Sequence, residues 1–255
     1  MAKRVSIVIP EYNETDCVDQ LACRLAVVFA AEPEYDFEAI IVENGSVDDT
    51  WDKLVRINTK DSRFKILRLS RNFRMDGGLT AGLSEVDADA CVFMCADPQE
   101  PPELIHDFLR KWEQGYENVY GIIRKRGGTG PIRRFNSWLL YLIADKLTGG
   151  RIPRNASDSR LMDGGVYGAV RSMDERNRFV RSPVAWTGHR SIGIEMERPE
   201  RFGGVTNAHG FKVVDLAFKG IFAHSVAPLL PITITGFVTA FLSLDTPRLF
   251  GGHFS

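Results

Sequence analysis

Val5-Ser6-Ile7-Val8-Ile9-Pro10-Glu11-Tyr12-Asn13-Glu14 is an apolar, β-branched run that ends abruptly in proline, aromatic and acidic residues. A short run of this kind reads as a buried strand, Val5 to Ile9, that delivers Pro10, Tyr12 and Glu14 into a loop. Phe37 to Val42 repeats the pattern and ends in Glu43-Asn44-Gly45-Ser46. Between the two, Leu21, Leu25, Val28 and Phe29 recur at helical spacing behind Asp16, a fair N-cap, so the unit is strand, helix, strand. The unit then recurs as helix over Asp48–Ile57, strand over Phe64–Leu69, helix over Leu79–Val86, strand over Ala90–Met94 and helix over Leu104–Trp112. Such alternation predicts an α/β fold whose mostly parallel, Rossmann-like sheet is covered by helices on both faces. Open sheets of this type bind ligands beyond the carboxyl ends of their strands, so the loops after Ile9, Val42, Leu69 and Met94 should share one crevice.

The 255 residues carry 32 Lys plus Arg against 33 Asp plus Glu, a net charge of −1 that excludes a broadly basic nucleic-acid binder. With 44% hydrophobic and 25% charged residues the composition is that of a globular protein with one large core. Charge is nevertheless uneven: Tyr120 to Arg160 holds nine cations and two anions, which marks a local anion site. Cys17, Cys23, Cys91 and Cys95 have no histidine placed to complete a zinc set; they read as reduced thiols of a cytosolic compartment, or simply as small buried apolar residues. Further along, Phe135, Trp138, Leu139, Leu142 and Ile143 mark an amphipathic helix stopped by Gly149-Gly150, and Ser191 to Glu197 alternates like an edge strand. Phe211 to Phe222 reads as an interfacial helix carrying Lys212 and Lys219. It leads into Val226–Leu244, 19 residues without Lys, Arg, Asp or Glu, close to the roughly 20 that span a bilayer.

The densest chemical signal is Ala96-Asp97-Pro98-Gln99-Glu100-Pro101-Pro102-Glu103, directly after an apolar strand. A carboxylate at a strand end beside amide and acid groups can hold a hard divalent cation against a diphosphate; an acidic, proline-rich turn before a helix is the plainer alternative. Pro10-Glu11-Tyr12-Asn13-Glu14 offers an aromatic face and a carboxylate for a nucleobase and ribose, or else forms a solvated turn. Glu43-Asn44-Gly45-Ser46 with Asp48-Asp49-Thr50 reads equally well as a loop and N-cap.

Taken in order, these segments resemble the inverting family 2 glycosyltransferases of GT-A fold, in particular the polyprenyl-phosphate sugar transferases that include bactoprenol glucosyltransferases and dolichol-phosphate mannose synthases. Besides the three segments above, the resemblance runs through Ser70-Arg71-Asn72-Phe73, Tyr120-Gly121-Ile122-Ile123-Arg124, Arg133-Arg134-Phe135-Asn136-Ser137 and Asn155 to Asp163. It continues through Val184-Ala185-Trp186-Thr187-Gly188 and Glu197 to Phe202, and spans about Val5 to Leu244. It implies a catalytic domain over residues 1–210, an interfacial helix over 211–225, a membrane segment over 226–244 and a short tail over 245–255. Pro10, Tyr12 and Glu14, with Glu43 or Asn44, would line the nucleotide pocket. Asp97 and Gln99 would hold Mg²⁺ or Mn²⁺ against the sugar diphosphate, with Glu100 behind them or toward the acceptor. Arg124, Arg133 and Ser137 would receive phosphates, in keeping with the local positive charge.

The expected reaction is transfer of glucose or a related hexose, with inversion, from a nucleotide sugar to polyprenyl (undecaprenyl) phosphate. A UDP-sugar is favoured and GDP-mannose is the alternative. The expected place is the inner, cytoplasmic membrane with the catalytic domain in the cytoplasm; a homo-oligomer is compatible with this, and nucleic acid is not expected as a partner. Three departures from the family pattern stand out: Cys95-Ala96-Asp97 where Asp-Ala-Asp is frequent, Gly204-Val205-Thr206-Asn207 where Gly-Glu-Ser-Lys is usual, and one apolar segment where two are common. They define the rival reading, a membrane-attached nucleotide-sugar-binding protein with little or no turnover.

Overall fold

The computed structural model describes residues 2–96, 100–124, 156–173, 188–196 and 229–250, the last with side chains from 233 to 243. The chain divides into two compact units, one of Met1–Gly130 with Arg151–Asn207 and one of Pro131–Gly150 with Ala208–Ser255.

In the first unit the described residues run β1 (Lys3–Glu11), α1 (Val18–Ala31), β2 (Tyr35–Glu43), α2 (Thr50–Lys60), β3 (Phe64–Arg68), α3 (Arg74–Ser84), β4 (Ala90–Phe93) and α4 (Leu104–Glu113). β5 (Asn118–Ile123), β6 (Ala156–Asp163), α5 (Gly164–Ser172) and β7 (Ser191–Met196) follow. The strands form one sheet in the order β3-β2-β1-β4-β6-β5-β7. The first four are parallel, as the alternation predicts. β6 is antiparallel to both β4 and β5, and β5 runs parallel to β7. β7 lies at the sheet edge, where the alternation of Ser191 to Met196 placed it.

Period-two alternation sorts the core. Val5, Ile7 and Ile9 of β1 pack with Ala39 and Ile41 of β2, with Leu25 and Phe29 of α1, Leu54 of α2 and Phe108 of α4 on one face. Val8, Ile40, Val42 and Phe93 meet Leu79 and Leu83 of α3 and Val166 and Val170 of α5 on the other. α3 approaches the sheet unusually closely. A Cβ on Gly82 would lie 3.0 Å from Val42 Cγ2 and nearer still to Val8 Cγ1, and one on Gly78 would lie 2.7 Å from Pro10 Cβ.

Three expectations need correction. β1 continues through Pro10 to Glu11 in register with Glu43, because β4 pairs only with Val5 to Val8 and leaves the Pro10 position without a partner on that side. α1 starts after Cys17 with no side-chain cap from Asp16; Glu14 O instead accepts the Cys17 and Val18 N–H groups at 2.9 and 3.2 Å. α3 starts at Arg74 rather than Leu79, because Asn72 Oδ1 accepts the Arg74 N–H at 2.7 Å and Asn44 Oδ1 accepts the Phe73 N–H at 3.0 Å. The four cysteines are free, and Cys91 is buried, its thiol raised by desolvation.

In the second unit α6 runs Leu229–Phe250, so the helix continues past Asp245, where a separate tail was expected. Among the described residues no helix is long and apolar enough to cross a membrane. The described side chains from Thr233 to Ser243 extend over about 16 Å and mix large apolar residues with Thr, Gly, Ala and Ser. The helices expected over 131–150 and 211–225 lie outside the described residues.

Candidate functional site

The carboxyl ends of β1, β2, β3 and β4 lie along one edge of the sheet, and since β5 and β7 point the same way, Arg124 and Met196 end there too. The first two loops are stitched to each other. Asn13 sits in the left-handed region at φ 54°, which asparagine tolerates. Its N–H donates to Ser46 Oγ at 3.0 Å and its Oδ1 accepts the Val47 N–H at 3.1 Å. The Glu14 N–H donates to Thr50 Oγ1 at 3.2 Å, and Lys53 Nζ donates to Thr15 O at 2.7 Å. Asp48 titrates below its usual range: burial pushes it up, but the Thr50 hydroxyl and the Thr50 and Thr15 N–H groups outweigh that. The stitching leaves Tyr12 exposed and Pro10 and Glu14 half-buried at the mouth.

Beneath them lie two buried acids in register, Glu11 and Glu43. Glu43 accepts the Ser46 N–H and stands 3.1 Å from Arg68 Nε, and the Arg68 guanidinium lies 5.0 Å from the Trp51 ring centroid. Among the described residues neither carboxyl oxygen of Glu11 has a hydrogen-bond partner. Burial, then the charges of Glu14, Asp48 and Glu43, push its pKa up to about 8, so Glu11 is protonated at neutral pH. Asn44, expected at the nucleotide, is buried and spent on α3: beside its bond from Phe73, its Nδ2 donates to Arg74 O at 2.9 Å.

The β4–α4 connection begins with the Met94 N–H on Val8 O at 3.1 Å. It closes at Glu100, a buried carboxylate that accepts the hydroxyls of Ser157 and Ser159 on β6. Asp97 and Gln99, the expected metal ligands, lie outside the described residues, as do Arg133 and Ser137. Among the described residues no group of three His, Cys, Asp or Glu could hold a metal ion. Aspartate and glutamine side chains are hard oxygen donors, a donor chemistry that fits a divalent cation. Arg124 is exposed at the end of β5, its N–H on Met196 O at 3.0 Å and its Nε 3.6 Å from Glu195. The structure thus brings Pro10, Tyr12, Glu14 and Glu43 together at the ends of β1 and β2, and sets Glu100 and Arg124 farther along the same edge.

Glu11, Arg68, Ser157 and Ser159 were missed from sequence. Glu11 was legible in principle, since aligning the two β-branched runs in parallel puts it beside Glu43. The serines carried no signal, lying in the polar stretch Ala156-Ser157-Asp158-Ser159-Arg160.

A mostly parallel sheet wound on both faces, with its polar loops at the carboxyl edge, is the GT-A-like architecture. Glucosyl-3-phosphoglycerate synthase from Mycobacterium tuberculosis, crystallised with Mn²⁺, uridine-diphosphate-glucose and phosphoglyceric acid, superposes with a TM-score of 0.54 at 14% identity over 87% of this chain and 78% of that one. Residues 6–170 match the family described as Glycosyl transferase family 2. An uncharacterized glycosyltransferase of Synechocystis is 37% identical over 244 residues, 96% of this chain and 76% of its own. A prophage bactoprenol glucosyl transferase homolog of Escherichia coli is 30% identical over 237 residues, 93% of this chain and 77% of its own. The chain belongs to glycosyl transferase family 2 and is a glycosyltransferase.

Proposed function

We propose that this enzyme transfers glucose or a related hexose from a UDP-sugar to a polyprenyl phosphate at the cytoplasmic face of a membrane, with inversion at the anomeric carbon. The observation that carries the reading is similarity along nearly the whole chain to bactoprenol glucosyl transferases, 28% identical over 94% of this chain in the Shigella phage SfV protein. The bond that forms joins a phosphate oxygen of the lipid to the anomeric carbon; the bond that breaks releases the nucleoside diphosphate. A phosphate oxygen is already anionic at neutral pH, so the protein has to position the nucleophile rather than deprotonate it.

Tyr12 offers its ring to the base, and Pro10 and Glu14 flank the base and ribose. Glu43, paired with Arg68, presents an acceptor to a base N–H. Asp97 and Gln99 would hold Mg²⁺ or Mn²⁺, which supplies charge neutralisation at the leaving diphosphate. Arg124, with Arg133 and Ser137, would bind phosphate oxygens and stabilise the charge that grows as the donor bond lengthens. Membrane attachment is supported by α6, where Ile234, Phe237, Val238, Phe241 and Leu242 recur at helical spacing and are all exposed.

The test is incubation of the full chain with radiolabelled UDP-glucose or GDP-mannose, undecaprenyl phosphate and Mg²⁺ or Mn²⁺. Label in the organic-extractable lipid is expected from UDP-glucose. No lipid label from either donor, with nucleotide still bound, would favour the binding-protein reading. Full chain that stays soluble and monodisperse without detergent would refute membrane attachment.

A further inference from the structure

β3 is the last strand at one end of the sheet, so the loop that leaves it, Leu69 to Phe73, stands at a corner of the carboxyl edge. From Lys53 to Arg74 the chain carries eight cations and one anion, Asp61. Carboxylates neutralise four of the eight: Asp19 pairs with Lys53, Asp61 with Arg63, Glu38 with Lys65 and Glu43 with Arg68. Arg56, Lys60, Arg71 and Arg74 have no ion pair among the described residues. α2 runs back across the sheet between two parallel strands and carries Lys60 to the opposite edge, whereas Arg71 and Arg74 stay at the carboxyl edge. Between them Phe73 is 43% exposed, with the Arg71 guanidinium 4.6 Å from its ring centroid. The adjoining β2 loop adds Val47, 87% exposed; a Cβ on Gly45, two residues before it, would lie 2.7 Å from Arg71 Cα. Asp48 is turned back onto the Thr15 and Thr50 N–H groups, which leaves Asp49 as the exposed carboxylate of that loop.

A lone exposed apolar residue is ordinary. Here, however, a phenyl ring is held between two arginines that no carboxylate neutralises, on a backbone fixed by Asn44 and Asn72. A soluble anion would match the arginines and leave Phe73 and Val47 in water. A surface that is anionic outside and apolar beneath satisfies all of them, the ring entering the acyl boundary while the guanidinium groups meet phosphates. We propose that the β3–α3 loop, Arg71 to Arg74 with Val47 beside it, is a membrane-contact surface of the first unit that recognises anionic phospholipid headgroups. The inference rests on the proposed membrane attachment and adds to it a direction: the carboxyl edge, where Pro10 and Tyr12 lie, is brought to the surface in which a polyprenyl phosphate is dissolved.

The experiment reads quenching, by brominated acyl chains, of an indole placed in the contact. The full chain with Phe73→Trp is reconstituted in phosphatidylcholine vesicles with or without phosphatidylglycerol, and quenching of the parent's own tryptophans is subtracted. Val47→Trp is a second probe in case Phe73→Trp does not fold, and Val27→Trp, at an exposed position of α1, is the control. Both probes should be quenched when phosphatidylglycerol is present, and the quenching should vanish at about 1 M salt, where the Debye length is about 3 Å. Each arginine near an anionic surface is worth roughly fivefold in occupancy, so Arg71→Gln with Arg74→Gln should lower the bound-to-free ratio of the loop about 25-fold. The charge-matched pair Arg56→Gln with Lys60→Gln should leave that ratio near the parent's. Three outcomes in a chain that floats with the vesicles overturn this inference alone: quenching no greater than at Val27→Trp, equal quenching with and without phosphatidylglycerol, or equal losses in the two double variants. Unchanged quenching together with a raised UDP Kd in the Arg71→Gln, Arg74→Gln chain assigns these arginines to the donor and also overturns it. A chain that floats with neither kind of vesicle overturns membrane attachment and this inference with it.

Discussion

Replacing Glu11 by glutamine should stabilise the protein, and should do so more as the pH rises. In the folded state the Glu11 carboxyl holds its proton up to about pH 8, whereas in the unfolded chain it titrates near 4.5. Between those values the unfolded state binds fewer protons than the folded state, so stability falls with pH, by about 1.4 kcal/mol per unit at the steepest. At pH 7 the accumulated cost is about 3 kcal/mol, and it is absent below pH 4, where both states are protonated. Glutamine has nearly the same shape and no titration, so the variant should be more stable than the parent by about 3 kcal/mol at pH 7 and equal to it near pH 4. With a urea slope of roughly 3 kcal/mol/M this moves the midpoint by about 1 M. Urea unfolding followed by tryptophan fluorescence from pH 4 to 9 measures both curves. Parallel curves across that range would show that Glu11 does not keep its proton in the folded state.

Gly82→Ala should cost about 1–3 kcal/mol, seen as a lower melting temperature, because its methyl would press into Val8 and Val42 beneath α3. Arg74→Gly should raise stability by about 1 kcal/mol in the same assay, since Arg74 holds φ 65° where a Cβ is strained. Asp97→Asn should abolish the Mn²⁺ enhancement of UDP binding and leave the melting temperature unchanged, with calorimetry as the check.

Legibility followed local chemistry. β1, β2, α1 and α4 bury long apolar runs, and their sequences announce strand or helix without help from elsewhere. β6 is equally buried yet reads as polar, because Ser157 and Ser159 face the Glu100 carboxylate and hydrophobic periodicity is lost where the interior itself is polar. The start of α3 depends on Asn44, about thirty residues earlier in the chain, a contact no local window contains. The end of β1 was read as a loop because Pro10 and Glu11 look like turn residues, and only the register with β2 shows them to be strand. For the site, the order of the polar loops was enough to place them along one edge of the sheet, whereas the buried pair Glu11 and Glu43 required the sheet.

The order of the strands also bears on biosynthesis. A nascent chain completes β3-β2-β1-β4 once Phe93 has left the ribosome, but β4 presents its outer edge unpaired until β6 emerges, about sixty residues later. At the usual 5–20 residues per second the wait is roughly 3–12 seconds. An open, fully apolar strand edge is a template for pairing with other chains, so this interval is when aggregation competes with folding. Chaperone capture during synthesis should therefore be strongest on nascent chains that end between Met94 and Asn155.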